Sequence, residues 1–289
     1  MYYQLKHLQG PDLALPKGPS RIVSCTDQAK SVLFGAAIGD ALGLPAEALD
    51  REAICDYYGP KGIQELPEDC GFYSDDTQMS LAVAQALVSL RTLEIDHFME
   101  NLGSEFVRWL KAPDSRIMGG ACLQGIQSFE ASRDWRTAGV PEALGNGSAM
   151  RVGPLGFFFQ HARAGLSEFA EASSSITHRS ASAATAAIIA AHAVAAALDG
   201  ASPQSIIEES LELCRSSCPV THAKLVVVQD ALRVGRNELE TFDALGAGWR
   251  GSEAIALSLY SCALRSDSYV ETVRLAANHW GDSDTIASI

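Results

Sequence analysis

Apolar residues recur at intervals of three and four along most of this chain, as in Phe98, Leu102, Phe106, Trp109 and Leu110, while strict alternation is almost absent. That period gathers the apolar side chains on one face of a helix, whereas a strand would need a period of two. Ten segments read as helices on this basis: 27–42, 77–91, 96–111, 119–131, 148–160, 180–198, 204–214, 222–234, 252–264 and 269–278. The pattern predicts an all-α protein of about a dozen helices, with no linker clear enough to divide it. Residues 1–25 differ: Gly10, Pro11, Pro16, Gly18 and Pro19 interrupt any period, so they read as an extended arm, and the helical domain runs over 26–289.

Composition narrows the choice. The chain has 289 residues, 47% of them hydrophobic and 20% charged. Its net charge of -13 opposes non-specific attraction to nucleic acid or to an anionic membrane. One run, 180–198, carries no Asp, Glu, Lys or Arg and approaches membrane length, but it is mostly alanine and includes His192, so it reads as a central buried helix. The seven cysteines are odd in number and widely spaced, which predicts reduced thiols and a cytoplasmic location. Nothing at the start of the chain has the basic and apolar pattern of a signal peptide. A monomer is expected.

Two acidic clusters then stand out. Ser74-Asp75-Asp76-Thr77 opens the helix at 77–91, and Asp282-Ser283-Asp284-Thr285 lies at the other end of the chain. Helix capping explains Ser, Asp and Thr at such places, because a side-chain oxygen accepts an unpaired backbone N–H. Capping uses one or two side chains, however, and each cluster offers four that carry oxygen. If the two helix starts meet, their carboxylates would repel unless cations sat among them, and an all-oxygen set suits Mg²⁺ or Mn²⁺ better than Zn²⁺. The pattern predicts a metal site, binuclear in the fullest case. Glu47 follows the small-residue helix Gly35–Gly43 in a turn from which a carboxylate can be aimed inward, and Asp40 within that helix reads as a hydrogen-bonding core group.

Three further stretches carry candidate chemistry. Gly145-Asn146-Gly147-Ser148 is a glycine-rich turn suited to holding phosphate oxygens on backbone N–H groups; Ser148 equally suits a helix N-cap. His178 precedes the alanine helix within reach of a ligand, whereas His192 inside it reads as a core histidine. Gly248 and Trp249 lie in a flexible loop, where the indole either stacks on a base or sugar or anchors the loop to the core.

Taken in order, these motifs resemble the ADP-ribosylglycohydrolase family, from about Ala29 to Ile289. The resemblance implies a single compact, orthogonal multi-helix domain. It also implies a binuclear Mg²⁺ site held by Ser74, Asp75, Asp76, Asp282, Asp284 and Thr285, with Glu47 beside it. Asn146, Gly147, Ser148, His178, Gly248 and Trp249 become substrate contacts, and Glu47, Asp75 and Asp284 the catalytic candidates. The implied reaction releases ADP-ribose from a modified protein side chain. Arginine is favoured because Asn278-His279 resembles that branch; serine-linked or free ADP-ribose derivatives, and a non-catalytic binding role, are the alternatives. Ser74 stands where the family commonly has Thr. The family usually continues through a full helix after its second acidic motif, whereas four residues follow Thr285 here, so a truncated final helix is expected.

Overall fold

The computed structural model describes residues 24–66 and 72–289. Most of the arm, 1–23, and Cys70 lie outside that range. In chain order the helices are α1 (Cys25–Gly43), α2 (Arg51–Tyr58), α3 (Asp75–Val88), α4 (Ile95–Leu110) and α5 (Gly120–Ser132). Then come α6 (Trp135–Ala138), α7 (Gly153–Phe158), α8 (Leu166–Ser175), α9 (Ala181–Leu198) and α10 (Pro203–Cys214). The last five are α11 (Pro219–Val234), α12 (Glu238–Leu245), α13 (Gly251–Leu264), α14 (Tyr269–Ala277) and α15 (Ser283–Ser288). A 3-10 turn, Leu44–Ala46, follows α1.

The predicted all-α class holds. Among the described residues the only β-type pairings are two isolated bridges, Val140 with His178 and Gly145 with Arg250. Helix starts follow the polar caps: the hydroxyls of Ser24, Ser180 and Ser202 accept backbone N–H bonds at α1, α9 and α10. Cys25, assigned to the arm from sequence, is the first residue of α1.

The alanine run forms α9, which is long and apolar enough to cross a membrane. Here it packs against α7, α8, α10 and α13 instead. Its small side chains let neighbours come close: a Cβ on Gly156 of α7 would lie 2.4 Å from the Ala191 carbonyl oxygen. Packing of that kind distributes apolar burial over many short contacts. One large core, from Met79 to Ile286, joins elements from both halves of the chain.

Two expectations need correction. The helix predicted at 148–160 begins only at α7, because residues 146–151 fold into turns in which the Asn146 carbonyl accepts from both Ala149 and Met150 N–H. Helices α2, α6, α8 and α12 were not predicted. They have four to ten residues, too few for the apolar period to repeat convincingly.

The shortness of α15 is offset by its neighbours. It lies against α1 so closely that a Cβ on Gly39 would come within 1.9 Å of the Ala287 carbonyl oxygen, and one on Gly43 within 2.5 Å of the Asp284 Cα. The Ser283 hydroxyl donates to the Gly43 carbonyl at 2.9 Å, and Ser258 of α13 donates to the Ile286 carbonyl at 2.8 Å. A six-residue helix is marginal alone; tertiary contacts hold this one.

Candidate active site

The N-termini of α3 and α15 meet beside the end of α1. At α3 the capping is shared between two groups. Ser74 caps, its hydroxyl accepting from Asp76 N–H at 3.1 Å. Asp40, fully buried in α1, accepts from Ser74 N–H at 2.9 Å, from Thr77 N–H at 3.1 Å and from the Thr77 hydroxyl. Asp40 is thus the hydrogen-bonding core group expected from its setting. Because Ser74 and Asp40 satisfy the helix start, the Asp75 and Asp76 carboxylates are not needed as caps. One oxygen of Asp76 accepts from Ser288 at 2.7 Å, which ties the start of α3 to the end of α15.

On the α15 side, Asp282 accepts from Asn146 Nδ2 at 2.7 Å, and the same amide donates to the Gly248 carbonyl at 2.8 Å. Gly281 has a φ of +100° and runs so close to Ala247 that a Cβ would lie 2.2 Å from its carbonyl oxygen; only glycine fits. The Gly281 carbonyl accepts from Ala48 N–H at 2.7 Å, fixing the turn that carries Glu47. Glu47, Asp282 and Asp284 each present one carboxylate oxygen within 4.8 Å of the others.

Those carboxylates line a cavity of about 690 Å³. Asp75, Asp76, Ser74 and Thr285 face it as well, and its walls include Asn146, Gly147, His178 and Trp249, whose indole is 45% exposed. Burial, reinforced by Asp282, pushes the Asp284 carboxyl up to about 8. Burial also raises Asp75 to about 7, with Asp284 adding to it. Glu47 opens to the cavity yet is sufficiently enclosed, and near enough to Asp284, to reach about 7. Asp76 is also raised well above the usual carboxylate range, by its burial and then by Asp284.

Oδ1 of Asp284 is buried and, among the described residues, has no hydrogen-bond partner. An unpaired carboxylate oxygen inside a protein costs free energy unless a cation or donor reaches it. The donor set is hard oxygen throughout, so the residues present fit a Mg²⁺- or Mn²⁺-type ion.

Four residues singled out from the sequence stand outside the cavity wall. Ser148 does not line the cavity: it is fully buried and donates to the Ala183 carbonyl at 3.0 Å, a bond that ties the glycine turn to α9. It is not a helix N-cap either. Gly248 also stays out of the wall; with φ +89° and Ile286 2.7 Å from where a Cβ would stand, it shapes the loop behind Asp282. Asn278 and His279 lie away from the cavity, Asn278 bridging to Ile63 through both of its amide atoms and His279 bonded to the Gly246 carbonyl. Arg116, a cationic member of the wall set beside the Phe72 and Tyr73 rings, was missed, since nothing in its local sequence marks it.

Buried carboxylates with raised pKa values gathered on one cavity mark a candidate active site. A family model described as ADP-ribosylglycohydrolase matches residues 23–289, and the chain belongs to that family. It is similar to the ADP-ribosylarginine hydrolase Tri1 of Pseudomonas putida, with 25% identity over 91% of this chain and 68% of that protein. It is also similar to the ADP-ribosyl-[dinitrogen reductase] glycohydrolase of Rhodospirillum rubrum, 33% identical over 54% of this chain and 52% of that one. A solved ADP-ribosylglycohydrolase-related protein complex shares the fold, with a TM-score of 0.69 at 23% identity, covering 91% of this chain and 84% of its own. The chain is an ADP-ribosylglycohydrolase, an enzyme that acts on ADP-ribosylated substrates.

Proposed function

We propose that the protein is a Mg²⁺-dependent hydrolase that cleaves the bond between C1 of the distal ribose and an arginine side chain, releasing ADP-ribose. The observation that carries the reading is the buried, partnerless Asp284 Oδ1 set with Glu47 and Asp282 at one cavity. Arginine as the acceptor rests on the likeness to the Pseudomonas putida enzyme; Asn278 and His279, being remote from the cavity, no longer support it.

Ser74, Asp75, Asp76, Asp282, Asp284 and Thr285 would hold two Mg²⁺ ions, or Mn²⁺ in their place. Bound there, the ions supply positive charge that orients ribose hydroxyls and lowers the pKa of water at the site. Glu47 is the carboxylate most open to the cavity and takes the proton from the attacking water. Departure of the side chain develops positive charge on the ribose, and the remaining carboxylates face that charge. Asn146 holds Asp282 in place, while Gly147, His178 and Trp249 contact the ADP-ribose. A cytoplasm-like compartment belongs to the same proposal.

The test is release of ADP-ribose from ADP-ribosylarginine and ADP-ribosylserine peptides, with Mg²⁺ or with chelator. Mg²⁺-dependent release from the arginine peptide, abolished in Asp75→Ala, is expected. Preference for the serine peptide would overturn the acceptor, and undiminished release in chelator would overturn the metal.

A further inference from the structure

Arg151 is fully buried, yet among the described residues it forms no ion pair. Its guanidinium donates to the Gly147 carbonyl at 2.9 Å, to the Ser173 carbonyl at 2.6 Å and to the Thr177 hydroxyl at 2.9 Å, and it lies 4.8 Å from the centre of the Phe106 ring. Burying a charge without a counter-charge is costly, so its contacts invite an explanation. Two of them lead to the wall of the cavity. Gly147 is part of that wall, and Thr177 sits 2.9 Å from Nδ1 of His178.

Hydrogen-bond accounting fixes the direction of this chain of contacts. The Thr177 oxygen accepts from Arg151, which can only donate. Its own proton has two possible acceptors: the Ser174 carbonyl at 3.4 Å and His178 Nδ1 at 2.9 Å. The Ser174 carbonyl already accepts N–H bonds from Thr177 at 3.0 Å and His178 at 2.7 Å, which occupy both of its lone pairs. A guanidinium on its oxygen also polarises the Thr177 hydroxyl and makes it a better donor. The proton therefore goes to Nδ1. In the neutral ring the remaining proton must then sit on Nε2.

We infer that Arg151 and Thr177 are positioning residues whose relay fixes His178 as an Nε2–H donor, aimed at an acceptor oxygen of the bound ADP-ribose. Among the described residues Nε2 has no partner. It faces Gly145, where a Cβ would lie 3.0 Å away, so the glycine keeps it uncovered. The ring stays neutral at physiological pH: burial, and then the nearby Arg151, pull its pKa down to about 3. His178 in this state cannot accept a proton at Nε2, and its part is to bind. The inference deepens the proposed function and rests on it only for the identity of the ligand.

Two-bond ¹H–¹⁵N spectra of the ligand-free protein, with the His178 signals assigned by a His178→Gln variant, read the tautomer directly. The Nε2–H form is expected; an Nδ1–H form overturns the relay, whatever the enzyme's activity. Thr177→Val should lose the fixed tautomer and weaken ADP-ribose binding about tenfold, the worth of roughly one net hydrogen bond, raising KM more than it lowers kcat. Thr177→Ser should keep both. A Thr177→Val protein with the Nε2–H form and unchanged ADP-ribose affinity overturns the inference. If the valine variant does not fold, the wild-type tautomer still decides. An Nε2–H form in a protein that releases ADP-ribose from nothing would uphold the relay while overturning the function.

Discussion

Asp284 shows how one side chain carries opposite demands. Its carboxyl is buried, pushed up to about 8 and left with an unpaired oxygen, which is poor for stability and suited to holding a cation. Asp284→Asn should lower ADP-ribose release more than about 100-fold and, in chelator at pH 8, raise Tm by a few degrees; equal activity, or a lower Tm, would contradict this. Ser148 makes the contrast. Its hydroxyl serves the fold, so Ser148→Ala should cost about 1–2 kcal/mol in urea unfolding while leaving KM within twofold. A large KM change would put Ser148 back in the substrate site. Both residues looked alike in sequence, as small polar groups in motifs. Both are buried; the bond from Ser148 to Ala183, against the spare oxygen of Asp284, separates them.

At the scale of elements, the site depends on how closely α1 and α15 approach. Gly39 faces backbone, not a flexible side chain that might move aside. Gly39→Ala must push α15 away, at a cost of about 1–3 kcal/mol, and should speed amide hydrogen exchange over residues 283–288 with loss of activity. Unchanged exchange there would mean that α15 is held independently of α1. The long helices α4, α9, α11 and α13 were readable from apolar patterns that run over three turns or more; of the four only α9 has a side-chain cap. Shorter α2, α8 and α12 were not, and the turn at 146–151 was mistaken for a helix start. Its glycine-rich sequence permits either; the Asn146 carbonyl and the Arg151 anchor decide it.

For the molecule as a whole, the carboxylate cluster links stability to pH and to metal. Asp75 and Asp284 have ordinary values of 3.8 but lie near 7 and 8 in the fold, and Glu47 moves from 4.5 to about 7. Between about pH 4 and pH 8 the native state therefore holds protons that the unfolded chain has released, so stability falls as pH rises through that window. In chelator, Tm should be lower at pH 8.5 than at pH 6, and adding Mg²⁺ should recover most of the loss at pH 8.5. A metal-free protein equally stable at both pH values would show that the carboxylates are less coupled than their burial implies.

The sequence alone determined the all-α class, the family and the pairing of two acidic motifs, since helix period and short motifs are local properties that survive without coordinates. Only the tertiary structure decided which oxygens are spare. Asp40, 34 residues before Ser74, takes over the capping that Asp75 and Asp76 seemed to provide, and Ser288 reaches Asp76 across 212 positions. Those are contacts between distant segments, fixed by close packing at Gly39 and Gly43, and no local pattern encodes them.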